Sequence, residues 1–348
     1  MRKTGLVYDP VFMKHDTGSH PENARRLKYI MDALEDYGIR GKMTAIEPAE
    51  ATVEQIAAIH RPEYIQKVAD FAAAGGGYLD PDTAVSPRSY EAAVKAAGGV
   101  ITAVDHVMAG EVDSAFALVR PPGHHAVAGR SMGFCLFNNI AAGTCHAREK
   151  YGLERILVVD WDVHHGNGTA DTFYHDPGVL YFSTHQQGIF PGTGRISEVG
   201  AGPGEGYTVN IPFNRGTGNE GIYFAFTQLL EPIARQYRPE LIMVSAGFDA
   251  HYSDPLAGLA MTVEGYIKIA EIVKNLADEL CGGKLVAALE GGYNLGVVGH
   301  AVSAVVNVFG EYGITVDEPG GTPPGGVSPL MRMPVDEAIK VQKRYWDL

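Results

Sequence analysis

The chain has 348 residues, 45% of them hydrophobic, with 28 basic against 41 acidic side chains and a formal net charge of −13. That excess of acid argues against nonspecific nucleic-acid binding, which a basic surface drives, yet it would attract a cationic substrate. The length suits one large α/β domain, no apolar run approaches membrane-spanning length, and three cysteines without zinc-site spacing fit a reducing cytoplasm, the expected location.

Residues 6–8 read as a short strand, and His20-Pro21-Glu22 precedes a helical pattern at 23–37. The turn Leu79-Asp80-Pro81-Asp82-Thr83 comes before a longer helical pattern at 89–108. A strand at 115–119 then runs into Arg120-Pro121-Pro122-Gly123-His124-His125. Tandem histidines on a loop stiffened by Pro and Gly suit a base and an electrostatic partner, because imidazole titrates near neutrality. Gly133-Phe134-Cys135 lies in the loop before a helix at 139–151. The strand at 156–160, apolar until its last residue, leads into Asp160-Trp161-Asp162-Val163-His164, with His165-Gly166-Asn167-Gly168 beyond. Continued extension would place Asp160, Asp162 and His164 on one side. Two carboxylates and an imidazole there suit a divalent metal such as zinc, the other reading being a structural salt-bridge network. Two anionic ligands would offset a doubly charged ion, so such a site needs a separate general base.

Strands at 179–183 and 207–212 flank Phe190-Pro191-Gly192-Thr193-Gly194, and a helix is expected over 219–237. The strand at 241–245 ends in Ser245-Ala246-Gly247-Phe248-Asp249, followed by Asp254-Pro255-Leu256 and a helix at 262–280. Asp249 could complete a metal site with Asp162 and His164. The strand at 285–289 ends in Glu290-Gly291-Gly292-Tyr293, where a tyrosine hydroxyl can donate to a developing oxyanion, although a lone tyrosine is more often packing. Residues 318–328, rich in Gly and Pro, read as a linker or wrapped loop before an amphipathic helix at 335–345, which packs on its own domain or on another subunit. Strands alternating with helices indicate a mainly parallel sheet covered on both faces, with the site beyond the carboxyl ends of its strands. All four strand-end motifs lie there. We find no internal repeat, and expect a single domain over 1–348 with its core at about 5–312 and a tail at 313–348.

With these motifs in this order, the chain resembles the zinc-dependent histone deacetylase superfamily, in the class II-like branch that includes microbial deacetylase-like amidohydrolases. The resemblance runs from about Val7 to Gly310. Asn167, where class I members carry aspartate, and Arg120-Pro121-Pro122 before the tandem histidines favour that branch. The resemblance implies the arginase-deacetylase fold, with an eight-stranded sheet. It implies one zinc per chain on Asp162, His164 and Asp249, with His124, His125 and Tyr293 catalytic. Asp160 would then hold His124, and Asn167 would orient His125 through a neutral amide that leaves it less basic than a carboxylate would. Phe134 and Phe190 would wall an acyl-lysine tunnel, with Leu256 beside its mouth and the Gly133 carbonyl facing the substrate amide. Asp80 or Asp82, with Asp82 preferred, would be the rim aspartate that grips substrate backbone. His20 would lie on the entrance rim or brace its loop, and His15 has no assigned chemistry. Structural potassium would bind at an inner site of Asp160, Asp162, His164, Ser183 and Thr184, and at an outer site of Phe173, Asp176, Val179 and Tyr207.

The activity implied is hydrolysis of acetyl-lysine in a protein or peptide, releasing acetate. An acetylpolyamine amidohydrolase is the alternative, although its specialised relatives carry an acidic gatekeeper or a constricting insertion and this chain has Leu256. His124-His125 and Tyr293 weigh against a two-manganese ureohydrolase, and the intact Tyr293 weighs against an inactive acyl-lysine-binding scaffold. Neither nucleic acid nor membrane is an expected partner, and a homo-oligomer stays open.

Overall fold

Runs that are apolar on both sides can be covered only inside a sheet layered between helices. In the computed structural model, which describes residues 2–319, 321 and 331–348, the elements in chain order are β1 (Thr4–Val7), α1 (Arg25–Asp36), β2 (Thr44–Ile46), α2 (Val53–Ala57), α3 (Pro62–Ala73), β3 (Gly77–Tyr78), β4 (Ala84–Val85), α4 (Ser89–Met108), β5 (Ser114–Ala117), α5 (Asn139–Tyr151), β6 (Ile156–Asp160), α6 (Asn167–Phe173), β7 (Val179–Gln186), β8 (Thr208–Phe213), α7 (Asn219–Ala225), α8 (Glu231–Tyr237), β9 (Leu241–Ala246), α9 (Val263–Cys281), β10 (Leu285–Leu289), α10 (Leu295–Gly310) and α11 (Met333–Gln342). Apart from the small β3–β4 hairpin, the strands form one eight-stranded sheet in the order β2-β1-β5-β10-β9-β6-β7-β8. Every pair in it is parallel. Eight parallel strands in one sheet are what the resemblance implies. Each residue of β6 and β10 is buried, and α1, α9 and α10 pack together as one layer while α4 and α5 form another. The strands carrying the four motifs, β5, β10, β9 and β6, are consecutive in the sheet. Their carboxyl ends therefore open onto one place.

The structure departs from the sequence reading in several elements. β2 has only Ile46 buried, so its three residues show no apolar alternation. β7 continues past 183 because Thr184, His185 and Gln186 pair with β8 and are buried despite being polar. α10, LGVVGHAVSAVVNVFG, is apolar almost all round and shows no clear stripe, as suits a helix covered on most sides. The short helices α2, α3 and α6 were not anticipated either. α2 starts at a Thr52 capping box and α3 at Pro62. The helix expected over 219–237 widens into a π turn at Phe226–Leu230, just before Pro232, which has no N–H to give the carbonyl four residues back.

The terminal helix docks on its own domain. Gln342 Nε2 donates to Thr208 O at 3.1 Å, and Trp346 Nε1 donates to Gly206 O at 2.9 Å. Of the segment expected as a linker, Glu318 is anchored by His251 Nε2 at 3.0 Å and the Val263 N–H at 2.8 Å. Residues 320 and 322–328 of that segment lie outside the described residues.

Candidate active site

The alternation expected through His164 stops at Asp160, where β6 ends. The Asp162 N–H turns back to Asp160 Oδ1 at 3.2 Å, which sends the three side chains in different directions. Asp160 reaches away from the cluster, its Oδ2 accepting from His124 Nδ1 at 3.0 Å and from the Tyr181 hydroxyl at 2.9 Å. Asp162 and His164 come together through a second tight turn, the His164 N–H donating to Asp162 Oδ1 at 2.9 Å. Asp249, arriving from the end of β9, spends Oδ1 on the Val163 N–H at 2.9 Å. Its Oδ2 is buried without a hydrogen-bond partner, 3.2 Å from His164 Nδ1. One ligand atom from each of Asp162, His164 and Asp249 lies within 4.8 Å of the others.

That donor set fits a divalent cation. Burial opposes a charged His164, yet Asp162 and Asp249 raise it to about 10, so the two carboxylates hold a proton where a metal ion would take its place. The backbone packs tightly round the cluster. A Cβ on Gly247 would stand 2.1 Å from Asp162 Oδ2, and one on Gly291 would stand 2.1 Å from Asp249 Oδ2.

The tandem histidines sit beside this cluster on a loop tied down by Glu290. Its carboxylate accepts the Gly123 N–H at 2.7 Å and the His124 N–H at 3.2 Å, and Ser245 Oγ donates to its other oxygen at 3.0 Å. The two imidazoles, 4.0 Å apart between centroids, differ in what their Nδ1 atoms touch. His124 faces the Asp160 carboxylate, while His125 faces Asn167 Oδ1 at 2.9 Å. Burial lowers both. Asp160, Asp162 and Glu290 outweigh it at His124 and raise that imidazole to about 10. At His125, burial is joined by the charges of His124 and His164, and the imidazole falls well below 6.5. One histidine is therefore disposed to carry charge and its neighbour to be neutral.

Tyr293 follows Gly292, whose φ of +115° is a conformation L side chains rarely adopt. Asp254 Oδ2 accepts the Tyr293 N–H at 2.7 Å and the Asn294 N–H at 3.3 Å. Arg26 stands 5.0 Å above the ring centroid and donates to Gly292 O at 2.7 Å and Glu290 O at 2.6 Å. Glu22 holds Arg26 Nη1 at 3.1 Å and Arg120 Nη2 at 2.8 Å. Burial pushes the Tyr293 hydroxyl well above 10, which keeps its proton available for donation. Sequence reasoning did not single out Arg26 or the carboxylate of Asp254. No local spacing announces a contact between residues 26 and 290.

Above the cluster, Phe190 packs edge-on against His125 at 5.0 Å, and Phe134 against Tyr293 at 5.8 Å. The two rings thus stand over opposite members of the site. Gly133 fits between His125 and Phe190, where a Cβ would come within 2.5 Å and 2.7 Å of them, and its carbonyl accepts a weak bond from Cys135 Sγ at 3.3 Å. Phe134 holds a φ of 71°, unusual for a residue with a side chain. His165 Nδ1 meets Thr193 Oγ1 at 2.8 Å and His185 Nε2 meets Gly194 O at 2.9 Å, anchoring the loop that carries Phe190. Leu256 is 37% exposed. His20 both borders and braces this region, its ring 4.4 Å from that of Phe134 and its Nδ1 accepting the Glu22 N–H at 3.0 Å. His15 is internal, against Ser89 Oγ at 2.6 Å, and burial lowers it to about 4.

The two rim acids differ in their engagement. Asp80 accepts from Thr83 N at 2.8 Å, Asp82 N at 3.1 Å and Ser131 Oγ at 2.7 Å, which makes it the brace of the turn. Asp82, half-buried, meets Thr83 Oγ1 at 3.4 Å and also bonds to Asp80 and the Gly133 backbone, and burial followed by the neighbouring Asp80 raises it to about 6. Among the residues named for monovalent ions, Asp160 and Ser183 are register partners on β6 and β7. The Asp176 carboxylate is taken by Arg148 and by the Gly178 N–H, and its backbone oxygen accepts the Val179 N–H at 3.3 Å.

A family model, the histone deacetylase domain, matches residues 20–309. A probable deacetylase of Archaeoglobus fulgidus is 37% identical over 355 residues, spanning 99% of this chain and 98% of its own. Histone deacetylase 14, chloroplastic, of Arabidopsis thaliana is 42% identical over 316 residues, 86% of this chain and 75% of its own. The histone deacetylase-like amidohydrolase of Pseudomonas aeruginosa is 34% identical over 340 residues, 91% of this chain and 89% of its own. Among solved structures, the crystal structure of the HDA15 HD domain matches with a TM-score of 0.91 at 35% identity, over 99% of this chain and 95% of that one.

Proposed function

This chain belongs to the histone deacetylase family, and from that premise we propose that it is a zinc-dependent amidohydrolase removing acyl groups, acetyl foremost, from lysine side chains. The observation that carries this reading is the meeting of Asp162, His164 and Asp249 with two adjacent buried histidines, one held by a carboxylate and one by an amide, and with the buried Tyr293. Bound by the three ligands, zinc would supply a Lewis acid for the acyl carbonyl. His125, neutral and oriented by Asn167, takes a proton from the attacking water and returns it to the leaving amine. His124, held by Asp160, offsets negative charge as it builds up. The Tyr293 hydroxyl donates to the oxyanion of the tetrahedral adduct. Phe134 and Phe190 cover the lysine methylenes, each buried CH2 contributing about 0.8 kcal/mol, and Asp82 accepts a backbone N–H at the rim. The C–N bond breaks to leave a carboxylic acid and a free amine. Potassium at the sites named above would have a structural role.

A second reading, an acetylpolyamine amidohydrolase, rests on the same apolar walls, which suit a polyamine arm equally well, and on the net charge of −13. Leu256, exposed at the mouth, offers a second ammonium no partner. The test is acetate release from acetyl-lysine peptides by purified protein before and after chelation. Activity should vanish with the metal and return with zinc, and Asp162→Ala and Asp249→Ala should lose most bound metal by elemental analysis. Full metal occupancy and activity in both variants would rule the ligand set out.

A further inference from the structure

A groove of about 560 Å³ is lined in part by Gly133 and Phe190, which stand against His125 of the site. Its remaining walls include Tyr64 and Lys67 of α3, Asp80 and Asp82 of the rim turn, and Arg130 and Ser131. The acids and the cations of this groove are in different states. Asp80 is engaged by Thr83, Asp82 and Ser131, and the Asp82 side chain by Thr83, Asp80 and the Gly133 backbone. The Lys67 and Arg130 side chains are exposed and make no hydrogen bond or ion pair among the described residues. Asp171 of α6 influences Arg130 electrostatically without coming within ion-pair distance.

A peptide whose acylated lysine enters the tunnel must lay its backbone across this rim. Asp82 can accept its N–H groups, and a side chain next to the lysine falls over the groove, where two cations have no partner. The chain as a whole is acidic, but at physiological salt only charges within about 8 Å act strongly on an exposed group, so Lys67 and Arg130 are set against the groove's own Asp80 and Asp82 and not against the acidity of the whole chain. We propose that the groove is a subsite for a carboxylate side chain adjacent to the acylated lysine, with Lys67 and Arg130 as its partners. This rests on the acyl-lysine reading above and narrows it to acyl-lysines in acidic sequence.

The experiment uses the zinc-loaded protein and acetyl-lysine peptides capped at both ends, so that a carboxylate can come only from a side chain. Each carries Glu, Gln or Lys on both sides of the acetyl-lysine. The Glu peptide should exceed the Gln peptide in kcat/KM by roughly three- to tenfold, the range of one or two exposed ion pairs, with the Lys peptide lowest. The ratio should shrink toward one in 1 M salt and in the Lys67→Gln/Arg130→Gln double variant, and persist in Lys67→Arg/Arg130→Lys. A Glu-to-Gln ratio of one or less in the unaltered protein overturns the subsite while leaving the acyl-lysine reading intact. So does a preference that survives the double glutamine variant. Hydrolysis of acetylpolyamines with no turnover of any peptide removes the acyl-lysine reading, and the subsite with it.

Discussion

The two adjacent histidines have one residue type and opposite electrostatics, because Asp160 offers a charge where Asn167 offers an amide. Removing a group that only donates a hydrogen bond tests the oxyanion role most directly. Tyr293→Phe keeps the Arg26 and Phe134 contacts to the ring, so fold and metal content should be retained while kcat falls on the order of 10² to 10³. A kcat within a few-fold of the parent would make Tyr293 structural. Asp82 permits a pH prediction. Its value is raised to about 6, so the folded protein favours the protonated form; this residue's contribution to stability is greatest at low pH and is lost as pH rises through 6. The protonated carboxyl is the poorer acceptor, so KM for an acetyl-lysine peptide should rise as pH falls through about 6. The neighbouring Asp80 opposes the ionised form. Asp80→Asn should therefore move the inflection to lower pH, and an unmoved inflection would show that Asp80 does not set it.

At the scale of elements, the site is held by buried charge that crosses between them. Glu22 in the loop before α1 accepts from Arg26 of that helix and from Arg120 beyond β5, and all three are fully buried. Burial opposes its ionisation, but Arg120 and Arg26 hold the carboxyl well below the usual range. The stabilisation is thus present above the ordinary carboxylate pKa and disappears only in strong acid, as pH falls through the depressed value. Glu22→Gln leaves two buried guanidinium groups without a counter-charge and should cost about 3–5 kcal/mol in a urea titration. A loss below about 1 kcal/mol would mean that the carbonyls around Arg120 suffice. Because Arg26 also holds Gly292 O and Glu290 O, the variant should lose activity as well.

Over the whole molecule, the question is which amine the proposed site takes. The negative field draws cations of either kind, so discrimination falls to the mouth. Acetyl-lysine peptides should be cleaved more efficiently than acetylated spermidine or putrescine, since Asp82 can accept the backbone N–H groups of a peptide and Leu256 gives a second ammonium no counter-charge. Leu256→Glu should shift the ratio of kcat/KM toward polyamines. An acetylpolyamine exceeding the best peptide tenfold in the parent protein would replace the lysine reading, and no shift in the variant would mean that position 256 does not control access.

The sequence by itself determined the strands that carry chemistry and the residues at their ends. An apolar run and the Gly- and Asp-rich turn that follows are contiguous, so Ile156–Asp160 and Leu285–Leu289 were legible to the residue, as were Asp162, His164, Asp249 and Tyr293 as candidates. Tertiary structure alone decided which strands are neighbours, and so that four motifs share one opening. Hydrogen bonding between parallel strands leaves no trace of partner identity in either strand's pattern. It also tied Asp80 to Ser131, a contact 51 residues away that the turn's own sequence does not announce. The turn that rotates Asp160 away from Asp162 depends on hydrogen bonds that strand periodicity does not describe. Arg26 reaches Glu290 across 264 residues, and Asp254 meets Tyr293 across 39. Such bracing depends on how layers pack, and a one-dimensional pattern records burial without recording against what.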